Sequence, residues 1–223
     1  MQRAEINEYL NEFIAILKQY QFHLPAFAHY NLKDWQQQSA ESIAYVAQNN
    51  LGWDITDFNL GTFEKTGLSL FTVRNNTQTA EPPYAEKILY VRKNQVTPMH
   101  YHIHKIEDII NRNGAKLIVQ FYYSEDKALD TDKDVHIYKD NQNIHLKAGG
   151  KIILNPGESV RIPRFVYHSF WAEGGDVLAG EVSMTNDDNR DNIFLQPLGR
   201  FSEITEDAPP LRLLCNEYNN WIK

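Results

Sequence analysis

The sequence predicts a mainly β protein, a barrel or sandwich of short strands with N-terminal helices packed on its sheet. Three observations carry that expectation: short β-rich runs after Gly67, turn clusters that separate them, and two helically spaced apolar stretches before them. At 223 residues the chain is long enough for one large domain, and no change of composition marks a seam between two. We read 1–223 as a single domain, mainly helical over 1–66, a barrel core over 67–204 and a packed tail over 205–223.

The helices come first. Ile6, Leu10, Phe13, Ile14, Leu17 and Tyr20 fall on one stripe of a helix, which then needs a surface to bury it. A second helical stretch runs from about Leu32 through Trp35, Ile43, Val46 and Ala47, with a stop at Asn49-Asn50-Leu51-Gly52. Strands are expected over Leu68 to Val73, Tyr84 to Val91, Leu117 to Tyr123, Val135 to Tyr138, Lys151 to Leu154, Ser159 to Ile162 and Asp176 to Val182. Clusters such as Asp140-Asn141, Gly149-Gly150, Asn155-Pro156-Gly157 and Gly174-Gly175 punctuate them. The polar Asn75 to Pro83 stretch reads as a loop. The tail carries Leu211, Leu213, Leu214, Tyr218 and Trp221, too apolar to remain free.

Composition narrows the partners. A formal net charge of −7 argues against nucleic acid and anionic membrane surfaces, since both select a concentrated positive field. The N-terminus is too polar for the apolar core of a secretion signal, and no run approaches a membrane span. Cys215 is the single cysteine, a buried or idle thiol rather than a nucleophile, as befits a reducing compartment. The expected location is the cytoplasm.

The chemistry concentrates in Met99-His100-Tyr101-His102-Ile103-His104-Lys105-Ile106-Glu107. If Pro98 to Ile103 is a strand, the period of two directs His100 and His102 to one face. Glu107 can return a carboxylate from the next segment, and Gly114 is placed to end that hairpin in a tight turn. Some sixty residues on, Gly157 begins a strand, Pro163 limits it, and His168 arrives on the next. These offsets match the two cupin signatures, with Phe165 in place of the usual Gly and Ala172 where Asn is common. Three imidazoles and one carboxylate suit one divalent ion per chain, Mn²⁺, Fe²⁺, Co²⁺, Ni²⁺ or Zn²⁺. His104 is expected to rotate out of the site in the turn toward Glu107. His23, His29, His136 and His145 fit no ligand pattern and are read as structural or exposed.

Around this motif, Thr97-Pro98-Met99-His100-Tyr101-His102 with Lys105, Glu107 and Asp108 resembles the D-lyxose isomerase family. Ile162-Pro163, Tyr167-His168-Ser169-Phe170, Gly180-Glu181-Val182-Ser183, Asn186-Asp187-Asp188 and Gly199-Arg200-Phe201 with Glu203 extend the resemblance over most of the chain. It implies a cupin barrel, a homodimer, a preference for Mn²⁺, and interconversion of D-lyxose with D-xylulose or D-mannose with D-fructose. It also implies Lys105 and Glu203 near the sugar.

Those roles make chemical sense. Isomerisation removes a weakly acidic proton beside a carbonyl, so it needs a base, here Glu203, and positive charge against the enediolate oxygens, from a divalent ion and Lys105. Glu181 is an alternative base or a substrate hydrogen-bonding group, with Asp188 and Arg190 as further substrate contacts. Two competing readings are a cupin dioxygenase, which also uses three His and one Glu, and a non-catalytic sugar-binding cupin.

Overall fold

The computed structural model describes residues 1–76, 83–188 and 190–222. Helix α1, Arg3–Gln19, buries Ile6, Leu10, Phe13 and Leu17, the stripe the sequence predicts. The second helical stretch is instead two short helices, α2 Leu32–Trp35 and α3 Ala40–Gln48, preceded by a 3₁₀ turn over Ala26–His29. Local capping explains the break. Asn31 accepts the Lys33 and Asp34 amides at the start of α2, and Ser39 accepts the Ser42 amide at the start of α3. Helix α3 ends at the expected stop, where Asn50 and Gly52 take positive φ.

Among the described residues twelve antiparallel strands follow: β1 Gly52–Thr56, β2 Leu68–Asn75, β3 Ala85–Val91, β4 His100–His102, β5 Glu107–Glu125, β6 Ala128–Asp130, β7 Val135–Lys139, β8 Gln142–Leu146, β9 Lys151–Leu154, β10 Ser159–Ile162, β11 Val166–Ser183 and β12 Asn192–Phe194. The main path runs β1-β2-β3-β11-β5-β10-β7-β8; β4 pairs with β11 and β12, while β6 and β9 pair with β5. Strand β1 lies inside the segment read as mainly helical. Its polar Asp54 and Thr56 are as buried as its apolar Trp53 and Ile55, so no alternation betrays it. Of the loop expected over Asn75 to Pro83, residues 77–82 lie outside the described residues, and Asn75 itself ends β2.

Gly114 does not end a hairpin. Strand β5 runs through it, and the long strands β5 and β11 pair along both halves, with a register irregularity between Glu173 and Val177. Gly114, with φ of 107°, lies opposite Val177, and a Cβ there would run into the Asp176 carbonyl oxygen. The glycine thus serves a bulge, which lets each long strand contribute to both faces of the barrel.

The barrel interior is filled by residues such as Leu89, Val119, Phe121, Val160 and Phe170. On the outer face of β1 to β3, Trp53, Phe71, Ile88 and Tyr90 meet Ile6, Leu10 and Phe13 of α1. The tail closes over this layer: Leu213 and Tyr218, in the short helix α4 Tyr218–Trp221, pack with Trp35 and Val46. Among the described residues no helix is long and apolar enough to cross a membrane.

Arg3 clasps the two ends of the chain. Fully buried, it pairs with Glu206 at 2.7 Å and more closely with buried Glu217. Arg3→Met is expected to destabilise the fold by about 3–5 kcal/mol, because it strands the Glu217 carboxylate in the interior. Urea unfolding checks this, and a loss below about 1 kcal/mol would contradict the clasp.

Candidate metal centre and active site

Strand β4 is short because it is held from two sides. His100 lies opposite His168 of β11, while β12 places Phe194 opposite His100 and Asn192 opposite His102. The period of two sends Tyr101 the other way, against Tyr167 at 4.8 Å between ring centroids. Thr97 fixes the approach to β4 by accepting from the Ser169 hydroxyl at 2.6 Å and exchanging bonds with the Phe170 backbone. Past Ile162, Phe165 adopts φ of 61° and donates its N–H to the His102 carbonyl. The position where a cupin usually has Gly is therefore a left-handed one, and the departure changes the residue without changing the turn.

His100, His102, Glu107 and His168 converge, each offering a ligand atom, with all four atoms within 4.8 Å of one another. His102, Glu107 and His168 are buried. The imidazole tautomers follow from the backbone: Nδ1 of His100, His102 and His168 meets the carbonyls of Pro98, Asp191 and Val166 at 2.8, 3.2 and 3.1 Å. A carbonyl only accepts, so Nδ1 carries the hydrogen and each Nε2 presents a lone pair.

Burial, with the neighbouring imidazoles, pushes His100 well below the ordinary histidine range, and burial with the Lys105 ammonium lowers His102. Both are neutral at pH 7. Among the described residues Nε2 of His102 and of His168 has no hydrogen-bond partner, yet His168 Nε2 lies 2.8 Å from Glu107 Oε1. Burial alone would raise Glu107, but Lys105 and the imidazoles hold it well below the carboxylate range. Lone pairs and a carboxylate facing one point repel unless a cation sits between them, so this donor set fits a divalent metal ion.

Lys105 is buried beside the cluster, its Nζ 2.8 Å from both Glu107 Oε2 and Glu181 Oε1. Burial would lower it, but the two carboxylates raise it, so it stays an ammonium. Glu181 also meets Lys87 Nζ at 3.2 Å and accepts from the Ser183 hydroxyl. The lysines outweigh burial and keep Glu181 ionised. Asn186 Oδ1 accepts from Lys87 at 2.8 Å and from Lys105 at 3.4 Å.

A small cleft opens over these groups. Phe58, Phe194, Leu68 and Leu89 supply apolar wall, and Lys87, His100, His102, Lys105, Glu107, Glu181, Asp188 and Arg200 supply polar groups. Asp188 and Asp54 share Arg200, at 2.8 Å to Nε and 2.7 Å to Nη1. Burial opposes charge on Asp188, but Arg200 and Lys87 keep it ionised; burial raises Asp54 despite Arg200.

Glu203 is exposed and does not line the cleft: its carbonyl accepts from the Met1 amino group and its N–H donates to Asn59 Oδ1, holding this segment on the surface. Arg190 is likewise exposed and absent from the cleft. His104 is exposed, as expected of a turn residue, and His23, His29, His136 and His145 are exposed too. The thiol of Cys215 is buried, which pushes it well above the ordinary range.

Sequence reasoning missed Asp191. Its carboxylate accepts three successive amides, Ile103 at 2.9 Å, His104 at 2.7 Å and Lys105 at 3.0 Å, while its carbonyl meets His102 Nδ1. One buried side chain thus shapes the turn that swings His104 outward and Lys105 inward. Asp191→Ala is expected to weaken metal binding about 10–100-fold, as loss of a ligand's supporting partner does. Metal titration at fixed pH checks it, and unchanged affinity would show that the turn holds its shape unaided.

Comparison with known proteins agrees with this geometry. The family model described as D-lyxose isomerase matches residues 1–218. The D-lyxose/D-mannose isomerase of Escherichia coli O157:H7 is 45% identical over 99% of this chain and 100% of its own length, and that of Serratia proteamaculans 44% identical over 100% of both. Among solved structures, L-ribose isomerase of Acinetobacter sp. DL28, in complex with L-ribose, superposes with a TM-score of 0.56 at 13% identity, covering 92% of this chain and 98% of that one. The Geodermatophilus obscurus L-ribose isomerase gives 0.58 at 14%, with the same coverage. These two share the fold, a mainly antiparallel cupin-type barrel. The family match over residues 1–218 and the 44–45% identity to curated relatives over the whole chain establish that this chain belongs to the D-lyxose isomerase family and is an aldose–ketose isomerase.

Proposed function

We propose that the chain interconverts D-lyxose and D-xylulose, and D-mannose and D-fructose, by proton transfer between C1 and C2, with one divalent cation, Mn²⁺ by preference, held by His100, His102, Glu107 and His168. The observation that carries this reading is the set of unpartnered imidazole nitrogens aimed at Glu107 beside the buried Lys105–Glu181 pair. Family membership favours it over the dioxygenase and the non-catalytic cupin.

His100, His102, Glu107 and His168 would hold the cation, which when bound would supply positive charge near the reacting sugar oxygens and so make the C2 proton more acidic. Glu181, ionised inside the cleft, takes the proton from C2 and returns it at C1, while the hydroxyl proton passes from O2 to O1; we assign Glu181 the base role in place of Glu203. Lys105 holds positive charge beside the reacting oxygens and keeps Glu181 deprotonated. Asp188 and Arg200 offer an acceptor and a donor to sugar hydroxyls, while Phe58 and Phe194 keep water from the sugar face. The family relationship also supports a homodimer in the cytoplasm, which sedimentation and cell fractionation would read directly.

The reaction is tested in deuterated water. Deuterium at C1 of the ketose formed from unlabelled aldose supports an exchangeable base. Quantitative carry-over of a C2 deuterium label in ordinary water, persisting at high conversion in both directions, supports a direct hydride shift instead.

A further inference from the structure

The outermost hairpin carries a feature that sugar isomerisation does not use. Strands β7 and β8 pair with His136 directly opposite His145, and the next pairs on either side are Val135 with Leu146 and Ile137 with Ile144. Val135 and Ile137 are fully buried in the barrel core, with Ile144 and Leu146 packed against it. With these side chains fixed inward, the period of two forces both imidazoles outward. Strand β10 holds the other side of β7, so the hairpin is anchored while β8 remains an edge. The two rings lie 3.6 Å apart between centroids at 71°, with Nε2 to Nε2 at 2.6 Å, both exposed. Neither lines the sugar cleft.

We propose that His136 and His145 form a second metal site, a surface chelate for Cu²⁺ or Ni²⁺. Two nitrogens this close either share one hydrogen or face one cation with both lone pairs. In water the first arrangement gains little, because each nitrogen can bond to solvent instead. The second gains two coordinate bonds on a pair already fixed by the sheet. Metal–nitrogen bonds of about 2.0 Å at right angles place the nitrogens about 2.8 Å apart, whereas tetrahedral angles need about 3.3 Å. The 2.6 Å separation is shorter than either and closer to the first, so adjacent positions on a square-planar or octahedral ion need a smaller adjustment of the two rings than tetrahedral Zn²⁺ does. The flanking Lys147 is neutralised by Asp134 at 2.9 Å, which reduces repulsion toward an incoming cation. The remaining coordination positions open to solvent. A pair of imidazole ligands without a carboxylate ranks Mn²⁺ lowest, so this site and the barrel site differ in the ion they favour.

The experiment titrates Cu²⁺ into full-length wild type and into His136→Thr and His145→Thr, each first loaded with Mn²⁺. Threonine keeps a strand-forming residue at an exposed position, so both variants should fold and keep wild-type sugar turnover before copper is added. Wild type is expected to bind one more Cu²⁺ per chain than either variant, with an electron paramagnetic resonance spectrum showing coupling to two nitrogens, and each substitution should weaken that binding at least about 10-fold. Equal copper in all three proteins, or sugar turnover lost together with the copper, overturns the proposal.

Discussion

His168→Ala is expected to abolish sugar turnover and strip the metal, with a loss of at least about 10³-fold in kcat/KM. The side chain is fully buried, its Nδ1 is committed to the Val166 carbonyl, and its Nε2 faces Glu107 at 2.8 Å. Alanine therefore removes a donor that water cannot replace with the same geometry. His102→Ala should behave alike, since its Nε2 is equally unpartnered and its Nδ1 is tied to Asp191. His104→Ala provides the contrast: the ring is exposed, only its amide is engaged by Asp191, and activity should stay within about twofold of wild type. Metal content per chain and initial rates measured together separate these cases. A His104 substitution as damaging as that of His102 would overturn the register of the whole motif.

The second large effect is expected at Glu181. Glutamine keeps the shape but cannot accept a proton as a carboxylate does, so Glu181→Gln should lower kcat by about 10²–10⁴-fold while metal occupancy stays near wild type. The comparison variant is Glu203→Gln, whose side chain stands outside the cleft and whose rate should be nearly unchanged. Because Glu181 also neutralises Lys87 and Lys105, circular dichroism must show the fold intact before the rate is interpreted. Near-normal turnover of metal-loaded Glu181→Gln would remove it as the base, and a large loss in Glu203→Gln would return the role to Glu203.

The contrast between these carboxylates shows what the chain reveals by reading alone. His100, His102, Glu107 and His168 were legible because strand periodicity and short fixed offsets determine which way they point. Lys105 is named only by the family resemblance, since its own sequence context reads equally well as a solvated surface charge, and its side chain lies in the cleft. Glu181 and Lys87 meet only because β11 pairs with β3 in a register that sets them opposite one another, and no local pattern states which strands adjoin. Arg200 and Asp54 are likewise joined across the chain by β1, a strand hidden by its buried polar residues. Arg190 and Asp191 are neighbours of opposite fate, exposed and buried, and a single sequence offers no signal between them. The barrel itself was legible from its turns. Gly114 was misread as a hairpin end because a bulge and a turn ask for the same residue.

Aldose–ketose isomerisation by this barrel is expected to require a divalent ion in its three-histidine, one-glutamate site. It is tested most directly by following D-lyxose by ¹³C NMR with protein stripped by a chelator, then reconstituted with Mn²⁺. The expected result is D-xylulose from the reconstituted protein, none above background from the stripped protein, and return of activity on repeated metal addition. Equal conversion by stripped and reconstituted protein, or no ketose from D-lyxose or D-mannose with Mn²⁺, Co²⁺, Ni²⁺, Fe²⁺ or Zn²⁺, would contradict it.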